Sequence, residues 1–379
     1  PLSSIAMGMG DKEEADKILT NSFMAFLVSS IIIILVMYLF SDPILYAFGA
    51  SKETIGYAKD YILIYVLGTF FLQITVGMNY FINTQGFTRF GMATVLIGAI
   101  INIFLDPIFI FGLNMGVKGA ALATIIAQGI SCVWVLKFFF SDKTILHIRK
   151  EYLKFDWRIL KKIMGLGASP CFMSATESLL TISFNQQLLA YGGNLAISSM
   201  TIMSSMFQFM LMPVEGVAQG SQPIISFNYG AKNYERVKET LKLALKITLA
   251  YSLIGGTLME LFPQVFVGIF TKDPALMELG CRMLRVYIFG TLIIGPNSTH
   301  QQAYNSLGEG KKSFFFAFLR KIILLIRLIF ILPSVLPNMT GLEPVICVVL
   351  AEPISDLVTS ISNWFYFWKV FIPTKLVED

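Results

Sequence analysis

Ten apolar runs of helical length leave this chain few ways to fold. They fall at about 19–41, 54–82, 90–112, 117–140, 160–191, 194–227, 235–262, 276–306, 312–336 and 342–371. A hydrocarbon core about 30 Å thick needs about 20 apolar residues in a helix, and each run reaches that length. The alternation of a membrane barrel is absent. Helices close their own backbone hydrogen bonds, so they alone tolerate such runs in lipid. Only 14% of residues are charged, against about 25% in soluble domains. The expected fold class is all-α, a polytopic membrane protein.

The basic residues orient it. They gather in "HIRKEYLKFDWRILKK" (147–162), "AKNYERVKETLKLALK" (231–246) and "EGKKS" (309–313), all on alternate connections. With the 11–17 segment, Arg89, Lys137, Lys143, Arg320, Lys321 and the tail, one side receives 22 of the 29 Lys and Arg. Excess Lys and Arg mark cytoplasmic loops. The expectation is a multi-pass protein of the cell (inner) membrane, with basic loops and C-terminus cytoplasmic. The net charge of +5 is then spent on topology, and no nucleic-acid partner is expected. Four scattered cysteines without a CxxC spacing and only two histidines argue against a disulfide framework, a histidine metal centre or a catalytic triad. An enzyme is not expected, and neither is a cofactor.

The chain repeats itself. "LFSDPILYAFGASKE" (39–53) resembles "LFPQVFVGIFTKDPA" (261–275) at a shift of 222, which also lays Asn83 on Asn305, Gly86 on Gly308 and Gly119 on Gly341. Two pseudo-symmetric bundles follow: an N-terminal lobe over 1–140, a basic linker at 141–160 and a six-helix C-terminal lobe over 161–379. The second copy carries two helices before its "NYGAKN" loop, whereas the first has only a short stretch before the equivalent point. The reading therefore expects two more helices ahead of Pro1. That makes twelve spans, with both halves in one orientation; a ten-helix protein is the alternative.

Polar residues inside such runs default to functional hypotheses, because each costs insertion free energy of about 2.5–3.5 kcal/mol for an Asp. In "NIFLDPIFIFG" (102–112), Asn102 and Asp106 are four apart and share a helical face. Pro107 removes a backbone donor behind them. Thr124 lies about as far beyond the short "LNMGVKG" turn as Asp106 lies before it, at a similar depth. Carboxylate, amide and hydroxyl form a hard oxygen set for Na⁺, or for a proton on Asp106; a packing cluster around a neutral Asp106 is the other reading. Glu177 sits in the middle of its run with no cation nearby in sequence, as a proton carrier, a partner for a cationic substrate, or a hydrogen-bonded packing group. Met203 and Met206 belong to a methionine face suited to varied apolar ligands or to plain packing. With Gln208, His300 and Gln301 they are the substrate-cleft candidates.

These residues carry a resemblance. "NIFLDPIFIFG…GVKGAALATIIAQ" (102–128) and "PVEGVAQGSQPIISFNYGAKNYERVK" (213–238), with the repeat, make the chain similar to the multidrug and toxic compound extrusion (MATE) family of cation-coupled exporters over essentially its whole length. The resemblance implies twelve helices in two six-helix lobes, of which this chain would supply the third to the twelfth and the end of the second. It implies that Asn102, Asp106 and Thr124 match an N-lobe Na⁺ or H⁺ site, that Tyr61 matches a lobe-lining tyrosine, and that Glu177 matches a C-lobe acid. The family's first helix, with an aspartate of the N-lobe site, has no counterpart here. The expected function is a secondary antiporter, a monomer in membrane lipid, exporting organic, drug-like cations in exchange for Na⁺ or H⁺. A lipid-linked oligosaccharide flippase of similar architecture is the alternative, and several Arg or Lys in the cleft would favour it.

Overall fold

The computed structural model describes residues 1–47 and 55–376. Lys52, part of the 39–53 repeat segment and the last three residues lie outside them. A short helix α1 (Leu2–Gly8) leads into α2 (Lys12–Ala47). Then come α3 (Ile55–Thr84), α4 (Thr88–Gly112) and α5 (Gly116–Phe139). Helices α6 (157–192) and α7 (194–230) are followed by α8 (Tyr234–Leu261). Helix α9 runs as Pro274–Thr291 and Ile294–Ser306, α10 spans 310–340, and α11 is Pro344–Lys375. The rods α2 to α11 occupy the ten apolar runs, and no strand occurs among the described residues.

The junction of α6 and α7 shows how little chain a helical hairpin needs. Gly193 alone breaks the rod, at φ 61° and ψ −158°. That backbone region is open in practice only to glycine. Residues on either side of it, Glu177 and Phe184 before and Met200 and Phe207 after, line one cavity. The turn between α4 and α5 uses the same device, with Asn114 at φ 54° and Gly116 at φ 55°.

The chain divides into two compact units, Leu2–Ile163 and Met164–Asp379. In the first, Ile74, Met78, Ile82, Val135 and Phe138 form the centre of an apolar core shared with Leu19. The basic segment expected as a linker at 141–160 is bound to this unit. Gln85 Oε1 accepts from Thr144 Oγ1 and from the N–H groups of Ile145 and Leu146. The buried Asp16 carboxylate takes the His147 N–H at 2.9 Å and the Arg149 guanidinium at 2.8 Å. In the second unit, the faces of α6, α7, α9, α10 and α11 meet around Met203, Met283, Leu284, Leu325 and Val348.

Outward faces carry large apolar side chains, among them Ile103, Phe104, Phe111, Ile182, Phe209 and Phe289. A soluble domain rarely exposes so much contiguous apolar surface; for a bundle in lipid it is the expected exterior. The protein is a multi-pass α-helical membrane protein. Gly193→Ala keeps every contact yet forces a Cβ into the glycine-only region. We expect it to cost about 1–3 kcal/mol, read as a lower melting midpoint in detergent.

Candidate functional sites

Two polar clusters, one in each unit, hold the candidate acids of the apolar runs. In the first unit, small residues draw α4 and α5 together: Gly98 rests on Ser131, whose hydroxyl donates to the Thr94 carbonyl at 3.2 Å. One turn further along, the same approach brings Asn102 and Asp106 to Thr124. Asn102 Nδ2 donates to Asp106 Oδ1 at 3.1 Å and faces Thr124 Oγ1 at 3.5 Å. The Thr124 hydroxyl spends its proton on the Ala120 carbonyl at 2.9 Å, so its lone pairs face the cluster. Pro107 leaves the Ile103 carbonyl without a donor at i+4, and the helix continues as a π turn over Ile108–Gly112. Tyr61 is stacked on Tyr65, 5.4 Å between ring centroids. The structure thus brings Asn102, Asp106 and Thr124 together, and Tyr61 makes no hydrogen bond to any of the three. Asn102 is thus the donor that links the other two groups. Turning the Asn102 amide over would instead aim its oxygen at the centre, beside the Asp106 carboxylate and the Thr124 hydroxyl.

The second cluster differs from expectation. Glu177 does have a cation beside it. The Lys321 ammonium donates to the Glu177 carboxylate and, at 2.9 Å, to the Met173 carbonyl. Arg320, its neighbour in sequence, bridges Glu352 at 2.8 Å and Asp356 at 2.5 Å. Both basic residues are buried within α10. The assignment of Arg320 and Lys321 to a cytoplasmic connection is therefore corrected. The physical reason is local. Residues Leu319–Ile326 are π-wound, a winding frequent at functional sites. Glu352 and Asp356, four apart on α11, present two carboxylates to the same point. The Ser355 hydroxyl also donates to the Arg320 carbonyl at 2.9 Å.

This cluster lines two neighbouring cavities of about 410 and 370 Å³, which share Glu177, Phe207, Leu211, Arg320 and Lys321. Gln301 and Glu215 line the first and Gln208 the second. Met203 and Met206 do not line either; they are packed in the core, and Met200 is the methionine that reaches a cavity. His300 is likewise moved from cleft to core. Its ring is buried against Trp364 and Phe367, 5.4 and 4.4 Å between centroids. Among the described residues no group of three or more His, Cys, Asp or Glu could hold a metal ion. A cation here would rest on one carboxylate with neutral oxygens.

Apolar helices of membrane-spanning length, a polar cluster in each unit and cavities beside one of them fit a membrane protein that handles solutes. The chain belongs to the MatE family, whose profile matches residues 1–108 and 170–331. It is 26% identical over 335 residues to the multidrug export protein MepA of Staphylococcus aureus strain bovine RF122 / ET3-1, covering 88% of this chain and 73% of that protein. The MepA of Staphylococcus haemolyticus is 27% identical over the same length. Solved structures share the fold at lower identity. An outward-facing multidrug resistance MATE family transporter of the MOP superfamily has a TM-score of 0.90 at 22% identity, over 99% of this chain and 82% of its own. A Pyrococcus furiosus MOP superfamily transporter, described as having a binding pocket of reversed polarity, scores 0.90 at 21% identity, over 100% of this chain and 83% of its own.

Arg320 is the one charge that separates two buried carboxylates. Arg320→Met should destabilise the second unit by about 3–5 kcal/mol, because breaking a buried pair strands the remaining charges. The triple variant Arg320→Met/Glu352→Gln/Asp356→Asn should recover most of that loss in detergent unfolding curves. Equal losses in both variants would contradict an electrostatic role.

Proposed function

We propose that the protein is a secondary active antiporter that exports organic, drug-like cations and takes up Na⁺ or H⁺ in return. Membership of the MatE family and similarity to named multidrug exporters support export of small organic molecules. The observation that carries the coupling half is the Asn102–Asp106–Thr124 contact in the middle of a membrane helix. A lone carboxylate there is costly, and a group that binds and releases a small cation gives the cost a use.

The coupling step follows from the hydrogen bonds. With no ion, the Asn102 amide donates to Asp106 one turn along α4 and reaches across to Thr124 of α5. Protonation of Asp106 weakens that acceptor, and Na⁺ requires the amide to turn so that oxygen rather than N–H faces the carboxylate. Either event frees or turns the Asn102 amide, whose contact with Thr124 joins the helix of the Pro107 bend to α5. A coupling ion can shift conformations only by binding one better than the other, and a bend with a missing backbone bond is a place where two geometries lie close in free energy. Alternation between two access states then exchanges ion for substrate. In this reading Lys- and Arg-rich loops and the C-terminus face the cytoplasm, and the Na⁺ or H⁺ is cargo rather than a resident cofactor.

The flippase alternative would need a cavity that welcomes a lipid-linked phosphate. Arg320 and Lys321 do line the C-lobe cavities, but so do Glu177, Glu215 and Glu352, and Asp356 stands behind Arg320. Acids outnumber bases, which repels an anion and suits a cation.

Asp106→Asn keeps the size and the Asn102 contact while removing the titratable oxygen. In cells or vesicles expressing it to the wild-type level, efflux of an organic cation driven by a Na⁺ or pH gradient should fall at least tenfold, equivalent to about 1.4 kcal/mol. Undiminished gradient-driven efflux would remove Asp106 from the coupling step.

A further inference from the structure

We propose that Lys321 is a tethered substitute for the transported cation, occupying the Glu177 carboxylate of the C-lobe cavity whenever substrate is absent. This deepens the export reading above and rests on its organic-cation substrate class. It adds a competitor built into the chain.

The two ion pairs of the cluster are unlike. Arg320 is held on two sides, by Glu352 and Asp356, each almost fully buried, so neither partner can be given up without stranding a charge. Lys321 has one carboxylate only. Its side chain is 2% exposed, yet the Glu177 side chain it reaches is 66% exposed and looks into the cavity. A ligand can therefore approach Glu177 from the open side while the ammonium holds it from the closed side. The ammonium has somewhere to stay when the carboxylate is taken. It already donates to the Met173 carbonyl, and Glu352 lines the same cavity.

The charge balance favours the exchange. Glu177, Glu215, Glu352 and Asp356 face Arg320 and Lys321, so the cluster carries an excess of two acids when all are ionised. One monovalent organic cation fits without expelling Lys321 from the protein. The walls supply the rest of such a ligand's needs: Phe207, Phe184 and Met200 for its apolar body, in a space of about 370 to 410 Å³, within the size range of drug-sized sites. Return of the lysine to Glu177 then helps release the substrate, and a strongly hydrated ammonium on a flexible stem suits this better than a guanidinium would.

The test is equilibrium binding of tetraphenylphosphonium to the purified protein in detergent, with no ion gradient. Lys321→Met removes the competitor, and the probe should bind about tenfold more tightly than to wild type. Lys321→Arg keeps a permanent charge beside Glu177 and should bind no more tightly than wild type. Glu177→Gln removes the carboxylate and should weaken binding, with Lys321→Met giving no gain in that background. If Lys321→Met does not fold, Lys321→Gln, which retains a donor for the Met173 carbonyl, is read in the same way. Unchanged or weaker binding in the folded Lys321 variant would make the pair merely structural and overturn the inference alone. A gain for Na⁺ but not for the phosphonium would overturn the organic-cation assignment of Glu177. Failure of every variant and of wild type to bind the probe would overturn the substrate class of the export reading as well.

Discussion

Inside a hydrocarbon layer no water is available to solvate a charge, and each ionisable group there must bring its own partner. The rest of this structure depends on that constraint. Ten rods of apolar residues satisfy their backbones alone and turn Phe, Ile and Leu outward. The ionisable groups inside the two candidate clusters have partners: Asp106 with Asn102, Glu177 with Lys321, Arg320 with Glu352 and Asp356. These are the points where the bundle gives up packing for chemistry.

The two clusters use different solutions. The first unit pairs its carboxyl group with one neutral amide donor, at the site proposed above for the coupling ion. The second unit supplies its own cations, one locked and one loose. Both lie beside departures from regular α winding, the Pro107 bend with Ile108–Gly112 and the π turns of Leu319–Ile326. Irregular helix at a polar site frees backbone groups and lets side chains leave the register of the lipid-facing rows. Such points are where a transporter can store two arrangements of nearly equal free energy.

Much of this was legible in the residues. Run lengths sufficed for the rods, because hydropathy and helix length are properties of consecutive residues. The 102–124 contact was also legible, since i, i+4 spacing and equal depth on either side of a short turn set it. The Arg320–Glu352–Asp356 network was not read, although a signal existed: Glu352 and Asp356 stand four apart in the last run, and Arg320 and Lys321 lie well inside the one before. Counting the two bases as loop residues hid their partners. The fate of His300 and of Met203 and Met206 could not come from periodicity, because both core and cavity faces of a buried helix are apolar. Only the packing of α9 on α11 and of α7 on its neighbours separates them.

The central claim is that a cation gradient does the work of export. Proteoliposomes holding the full-length protein and a fluorescent organic cation test it most directly. With Na⁺ or protons higher on the side that receives the organic cation, it should move uphill, and collapsing that gradient should stop the movement at once. Equilibration at the same rate and to the same extent with and without any ion gradient would contradict the account.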